Sequence, residues 1–339
     1  MVKKTKSKLA GEEPPQPASP TESGMDIPTP EASPNMQRPR IYLDQNILGY
    51  VRDGQINLAA VENVKWVYSN EHFNEIARGG DRSLLVVLEN LRACQIELLL
   101  DEQFRITDQW TLHAYETPSA RYDRHQITIS EVPFDTSLFT DLSVRLFGGN
   151  NYEDVTTLPE RLDVQLSHLL GQIGIDAAAP LLAMKERADQ ALQFFVTELK
   201  ETRPIETIRK ALVGAKNGPV TATENPIQEI ADLIKARFPE LDINQFLGLD
   251  PPDKQGYEKW PLYLGIIGCF TFLNMLGYKP DRGIRNAENF PNIMSDAAHI
   301  GHAAFCHAVM SEDKRFCAKA GAIYTYLNIN TRVFQLQFQ

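Results

Sequence analysis

The chain has 339 residues, of which 43% are hydrophobic and 23% are charged, as in an ordinary globular protein. Its formal net charge of −10 argues against a generally basic nucleic-acid-binding surface, so a polyanion has to bind at a local basic groove. The four cysteines form neither a CxxC pair nor a Cys/His cluster with zinc spacing. The pattern therefore supports neither a disulfide framework nor a structural zinc site.

Residues 1–40 are predicted to be a disordered, proline-rich tail. They hold eight of the 21 prolines and no aromatic residue. Such a segment cannot bury enough apolar surface to offset the entropy of ordering its backbone. The basic start is not followed by the apolar segment of a secretory signal, so we expect a cytoplasmic protein.

Strands and helices alternate from residue 41 onwards. Residues 41–43 and 64–68 are short apolar runs typical of strands, and each is followed by a helix-like stretch. Ser69 or Asn70 can cap the second helix, and Gly79 with Gly80 can end it. A further helix at about 83–93 and a strand at 95–100 complete this part. The alternation predicts an α/β fold with a central parallel sheet.

Residues 101–257 are predicted to be a mainly helical insertion that begins with irregular sequence at about 101–125. The uncharged segment 260–278 is long enough to cross a membrane, but a buried core helix is the preferred interpretation because the motifs on either side have to meet in one pocket. The α/β pattern then resumes with a helix from Asp296, a strand at 308–310, a helix at 314–326 and a strand at 329–335.

Four carboxylates stand at the junctions of these elements: Asp44, Glu75, Asp296 and Asp313. Asp296 is expected at the head of its own helix. Because ligands bind at the carboxyl ends of parallel strands, all four acids are expected to line one cleft if the first strand neighbours the strand at 308–310. Their mutual repulsion calls for a divalent cation, and all-oxygen ligands suit Mg²⁺ or Mn²⁺.

Each of these acids also has a purely structural interpretation. An Asp in the first turn of a helix is commonly a cap. Glu75 can be a solvated helix residue paired with Arg78, and Glu71 is expected to be a surface acid. His299 could orient a carboxylate or a water molecule, or it could be an ordinary hydrogen-bonded structural histidine.

Four motifs taken together resemble the PIN-domain nucleases, which include the toxin ribonucleases of toxin–antitoxin modules. The motifs are "IYLDQN", "VYSNEHFNEIARGG", "SDAAHIGHA" and "VMSEDKRF". The resemblance implies a PIN-like three-layer domain built from residues 41–100 and 258–339. It also implies that the four acids are metal ligands, with Asn46 and Ser69 as polar supports. Compact members of the family do not have the large insertion between the second and third acids.

The resemblance implies an endoribonuclease that hydrolyses phosphodiesters with Mg²⁺ or Mn²⁺ and leaves 5′-phosphate and 3′-hydroxyl ends. The expected substrate is nucleic acid, with single-stranded RNA favoured over DNA. Positive side chains near the motifs are candidates for phosphate binding, although each could equally be a solvated surface charge: Arg78, Arg282, Arg285, Lys314 and Arg315. An inhibitory or defence-system protein partner and a homo-oligomer are also compatible with the resemblance.

Two other functions fit part of the pattern. A PIN-like fold without catalysis could act as a scaffold through its helical insertion. A metal-dependent phosphatase of the haloacid-dehalogenase type also begins with an Asp after a strand. That family requires a second Asp two residues later, where this chain has Asn46.

Overall fold

The computed structural model describes residues 38–337 except for positions 104, 132–136, 148, 150 and 255 and most of 173–224, where only 190, 193, 196 and 197 are described. Residues 1–37 of the predicted tail lie outside the described residues. So do most of residues 173–224, which belong to the predicted helical insertion. The last three residues assigned to the tail are described, and Arg40 opens the first strand.

A six-stranded sheet forms the centre of the fold, in the order β4-β3-β2-β1-β5-β6. All neighbouring strands are parallel except β3 and β4, so the sheet is mixed. The strands are β1 Arg40–Leu43, β2 Lys65–Tyr68, β3 Cys94–Leu100, β4 Ile106–His113, β5 Ala308–Ser311 and β6 Arg332–Gln335.

Twelve α-helices lie within the described residues. They are α1 Gln45–Arg52, α2 Asn70–Gly79, α3 Ser83–Asn90, α4 Pro118–Glu131, α5 Ser137–Leu146, α6 Tyr152–Thr156, α7 Leu158–Gln172, α8 Pro226–Arg237, α9 Ile243–Phe246, α10 Leu262–Leu276, α11 Phe290–Ala303 and α12 Lys314–Tyr326.

The α/β class and the position of β1 agree with the sequence. β1 pairs with both β2 and β5, so Tyr42 stands opposite Val67 on one side and Val309 on the other. The expected neighbourhood of the first strand and the strand at 308–310 is therefore confirmed. Strand β4 differs from the prediction of irregular sequence at about 101–125. It is an edge strand without clean alternation of buried and exposed residues, so its hydrophobic signal is weak.

Side chains of β1 alternate between two cores on opposite faces of the sheet. Tyr42 packs with α10, α11 and α12, whereas Leu43 packs with α1, α2 and α3. Val144 and Ile230, from helices of the segment 101–257, belong to the same core as Tyr42. The helical segment therefore contributes directly to the packing of the sheet.

Helix α10 runs through the larger core and accounts for the uncharged segment 260–278. Its residues Ile266, Cys269, Phe270 and Leu273 are almost fully buried. Among the residues that the structure describes, no helix is both long enough and apolar enough to cross a membrane. The buried-helix interpretation of this segment agrees with the structure.

Two glycines in helices provide a matched test of this packing. An added Cβ at Gly301 would lie 2.6 Å from the ring of Tyr263, whereas one at Gly321 would meet no described heavy atom within 4 Å. Gly301→Ala is expected to lower the free energy of unfolding by about 1–3 kcal/mol, since the Tyr263 ring has to move. Gly321→Ala is expected to raise it by up to about 1 kcal/mol through helix propensity. Urea unfolding measures both values, and equal shifts would contradict the close contact of α10 and α11.

Candidate functional site

Asp44 ends β1 and caps α1, which places it at the carboxyl edge of the sheet. Its carboxylate is only 4% exposed and accepts hydrogen bonds from Gln45 N at 2.8 Å and Ser311 Oγ at 2.7 Å. Asn46 Nδ2 lies 3.5 Å from the same carboxylate. The cap expected from the sequence is thus present, and Asn46 stands beside Asp44 as a weak polar support.

Asp313 caps α12 and is linked to Asp44 through one serine. It accepts hydrogen bonds from the backbone N–H groups of Arg315 at 2.5 Å and Phe316 at 3.0 Å. Its own N–H donates to Ser311 Oγ at 3.0 Å, and that hydroxyl donates to Asp44. Ser311 is fully buried, so it holds the two acidic turns at a set separation.

Asp296 does not lie at the head of its helix, and the sequence prediction was wrong on this point. Helix α11 begins at Phe290, so Asp296 sits about two turns inside it. Pro291 lies in the first turn of this helix. Proline is favoured there because N–H groups in the first turn have no partner within the helix, so proline loses no hydrogen bond. That proline was the local signal for the earlier start.

Glu75 on α2 joins the site through a buried chain of polar side chains. His299 Nε2 donates to Glu75 Oε2 at 3.2 Å, and His299 Nδ1 lies 2.6 Å from the hydroxyl of Tyr42. That hydroxyl lies 2.7 Å from Ser69 Oγ, and Ser69 caps α2. His299 therefore orients a carboxylate, one of the two roles left open for it. Tyr42 is a further member of this chain of side chains that the sequence analysis did not identify.

Two buried histidines, His72 and His299, pack against each other but differ in charge. The carboxylates of Glu75 and Asp44 overcome the effect of burial and raise the pKa of His299 to about 9. Burial and the neighbouring His299 lower the pKa of His72 well below its ordinary value. His72 accordingly donates from Nε2 to the Leu43 carbonyl and accepts at Nδ1 from Ser69 N, the pattern of a neutral ring.

The acids around Asp44 are close enough for the charge of one to raise the pKa of another. Burial raises the pKa of the Asp44 carboxyl, and the charge of Glu75 adds to that effect. Burial and then the charge of Asp44 raise the pKa of Asp296 well above its ordinary value. The sheet edge thus concentrates carboxylates whose ionised forms disfavour one another.

A buried lysine partly compensates these charges, and the sequence analysis did not find it. Lys319 is fully buried on α12 and donates to Asp281 Oδ2 at 2.5 Å, with Asn274 Oδ1 at 3.5 Å. Its ammonium also lies 4.0 Å from the centre of the Phe270 ring. Burial lowers the pKa of Lys319, while the charges of Asp281, Asp296 and Asp313 act in the opposite direction.

Glu71 is not the surface acid that the sequence suggested. Its carboxylate accepts a hydrogen bond from Ser295 Oγ and lies 3.6 Å from Arg78 Nη2. Arg78 also donates to Ser295 Oγ at 2.5 Å and lies 3.9 Å from Glu75. The predicted pairing of Glu75 with Arg78 is therefore present, but Arg78 serves two carboxylates beside the site.

The remaining basic candidates fall into two groups. Lys314 and Arg315 line a groove of about 610 Å³ together with Asn46, Asp313 and a residue not foreseen, Lys279. Arg282 and Arg285 are exposed on the segment between α10 and α11 and do not line this groove.

The donor chemistry of Asp44, Glu75, Asp296 and Asp313 fits a hard divalent cation, because all four offer carboxylate oxygens. Burial, with a smaller effect of a neighbouring acid, raises the pKa values of Asp44 and Asp296. In the part of the chain that the structure describes, however, no group of three or more His, Cys, Asp or Glu side chains is placed to hold a metal ion.

Comparison with known proteins adds nothing to this geometry. No protein-family model, no curated protein and no solved structure matches the chain. The resemblance to PIN-domain nucleases consequently rests on the four sequence motifs alone.

His299 predicts a pH dependence of stability. Its pKa in the folded protein is about 9, above the ordinary value of about 6.5. Its stabilisation is therefore fully present below pH 6.5 and is lost as the pH rises through about 9. The shift corresponds to a contribution on the order of 3 kcal/mol. His72 and His302, whose pKa values are lowered, act below this window.

Urea unfolding of the wild type and His299→Gln in a chelating buffer measures this contribution. The difference in free energy of unfolding is expected to be largest near pH 6 and to shrink by pH 9.5. The comparison isolates the imidazole because the buried cysteines, which also titrate at high pH, are common to both proteins. Parallel pH profiles would contradict a charged His299.

Proposed function

We propose that the protein is a metal-dependent nuclease that hydrolyses phosphodiester bonds at the carboxyl edge of its sheet. The observation that carries the proposal is the closeness of Asp44, which is buried, and Asp296, which is half-buried. Burial, and then the charge of Asp44, raises the pKa of Asp296. Such a pair is costly to keep unless a ligand uses it. Its position at strand ends is where open α/β sheets bind ligands.

The four acids have distinct parts in this proposal. Asp44 and Asp296 would be the principal ligands of Mg²⁺ or Mn²⁺, with Glu75 and Asp313 completing the set. When bound, the ion supplies an activated water and neutralises charge on the phosphate. His299 holds the Glu75 carboxylate. Ser311 donates to the Asp44 carboxylate and accepts from the backbone N–H of Asp313. Lys314 and Arg315 would contact phosphates in the adjoining groove.

The nature of the substrate follows from the resemblance alone. It favours single-stranded RNA over DNA and products with 5′-phosphate and 3′-hydroxyl ends. An inhibitory or defence-system partner belongs to the same proposal.

A catalytically silent scaffold is the second candidate, and two observations favour it. No three-ligand group exists among the described residues. In addition, the buried cations His299 and Lys319 already compensate part of the negative charge. In that case the acids would be structural, and the helices of residues 101–257 would carry the interaction.

Cleavage of labelled single-stranded RNA and DNA in Mn²⁺ tests the proposal. Asp44→Asn and Asp296→Asn are expected to lower kcat/KM roughly a thousandfold, because several kcal/mol of transition-state stabilisation is lost. Asn keeps the capping oxygen at position 44, so α1 is preserved. Asp123→Asn is the matched control, since Asp123 is exposed on α4 and contacts Arg82.

The control variant should cleave like the wild type. If the wild type is as inactive as both site variants, while all of them unfold cooperatively, the scaffold replaces the nuclease.

A further inference from the structure

The groove beside Asp313 is lined by three positive side chains: Lys279, Lys314 and Arg315. Within the part of the chain that the structure describes, the side chains of Lys279, Lys314 and Arg315 form no ion pair. Arginines elsewhere in this acidic protein do so, among them Arg52, Arg105 and Arg121. Glu312 also lines the groove, but it accepts a hydrogen bond from Tyr50. The unpaired positive charges are thus concentrated next to a proposed catalytic acid.

Lys279 reaches this groove from an unfavourable backbone conformation. Its φ is +43°, in the left-handed region that a side chain with Cβ rarely adopts. It follows Gly277, which ends α10 at φ +81°, and Tyr278, which is buried. A strained lysine on an exposed turn persists only when its surroundings hold it there.

The buried network of Asn274, Asp281 and Lys319 supplies that constraint. The Asn274 amide oxygen accepts from Asp281 N at 3.1 Å, and the Asn274 amide nitrogen donates to Asp281 Oδ2 at 3.0 Å. Lys319 then binds the same Asp281 oxygen at 2.5 Å. Asn274 lies on α10 and Lys319 on α12, so the network fastens the turn at 277–281 to both helices.

Lys319 lies on the same helix that Asp313 caps. The turn that carries Lys279 is therefore held in register with Asp313 by a largely buried contact. Salt weakens such a contact much less than it weakens one at the surface.

We propose that Lys279 binds a phosphate of the substrate next to Asp313 and that the Asp281–Lys319 pair is a positioning element that holds Lys279 there. The inference rests on the proposed function and adds to it a binding residue and the residues that place it. The ligand chemistry is a phosphodiester backbone, because the three unpaired charges line one side of an open groove and need a polyanion as partner.

The first experiment removes the charge without disturbing the backbone. Asn tolerates the left-handed conformation, so Lys279→Asn keeps the turn. For cleavage of labelled single-stranded RNA, or DNA if that is the substrate cleaved, KM should rise about tenfold while kcat stays unchanged. The slope of log(kcat/KM) against log salt should fall in magnitude by about 0.7, the value for one phosphate contact on a single strand. Lys259→Asn, at a lysine that is 88% exposed, is the matched control.

The second experiment separates positioning from stability. Lys319→Met alone leaves Asp281 buried and unpaired, so it should lower the Tm. Adding Asp281→Asn removes both charges and should restore the Tm, because a buried ion pair can be replaced as a whole at little cost. KM should stay raised in this double variant, and amide hydrogen exchange of residues 277–283 should be faster than in the wild type.

Non-additivity provides the decisive comparison. If the pair acts through Lys279, adding Lys279→Asn to the double variant should raise KM little further. Equal KM values for Lys279→Asn and Lys259→Asn would overturn the binding role of Lys279. Recovery of KM together with Tm in the double variant would show that the ion pair only stabilises the fold. A wild type that cleaves neither RNA nor DNA would overturn the proposed function and this inference with it.

Discussion

Carboxylates at one edge of the sheet repel one another, and the side chains around them have to accommodate that repulsion. Asp44 is buried at the end of the central strand β1, and Asp296 and Glu75 both lie within its electrostatic reach. Buried acids that disfavour one another's ionised forms destabilise a fold unless partners compensate them. The side chains around them therefore divide into groups that hold the acids in place and groups that balance their charge.

The compensation comes from two buried cations on different helices. His299 on α11 contacts Glu75, and Lys319 on α12 contacts Asp281. Both contact the core that contains Tyr42: His299 contacts the Tyr42 hydroxyl, and the Lys319 ammonium lies over the Phe270 ring. The same two residues serve either proposed function: they preorganise the acids for a metal ion in a nuclease, and they neutralise them in a scaffold. The nuclease and the scaffold would share the same fold. They would differ in whether the acids bind a metal ion and whether a substrate is cleaved.

Two grooves near the acids differ in character. Lys279, Lys314 and Arg315 line the groove beside Asp313, and they form no ion pair within the described part of the chain. The groove beside Ser295 is lined largely by apolar side chains from α10 and α11 together with Glu71 and Arg78. The first groove therefore suits an anionic ligand better than the second.

Local features can be predicted from the sequence, because capping and strand formation depend on neighbouring residues. The caps at Asp44, Ser69 and Asp313 and the strands that precede them follow from short-range patterns. The contacts between distant charges become visible only in the folded structure. Lys319 binds Asp281, Glu71 turns towards Ser295, and Tyr42 joins His299 to Ser69, because the packing of α10, α11 and α12 against the sheet brings these residues together. No periodicity or spacing encodes a contact between helices so far apart along the chain, since such a contact depends on how the elements pack.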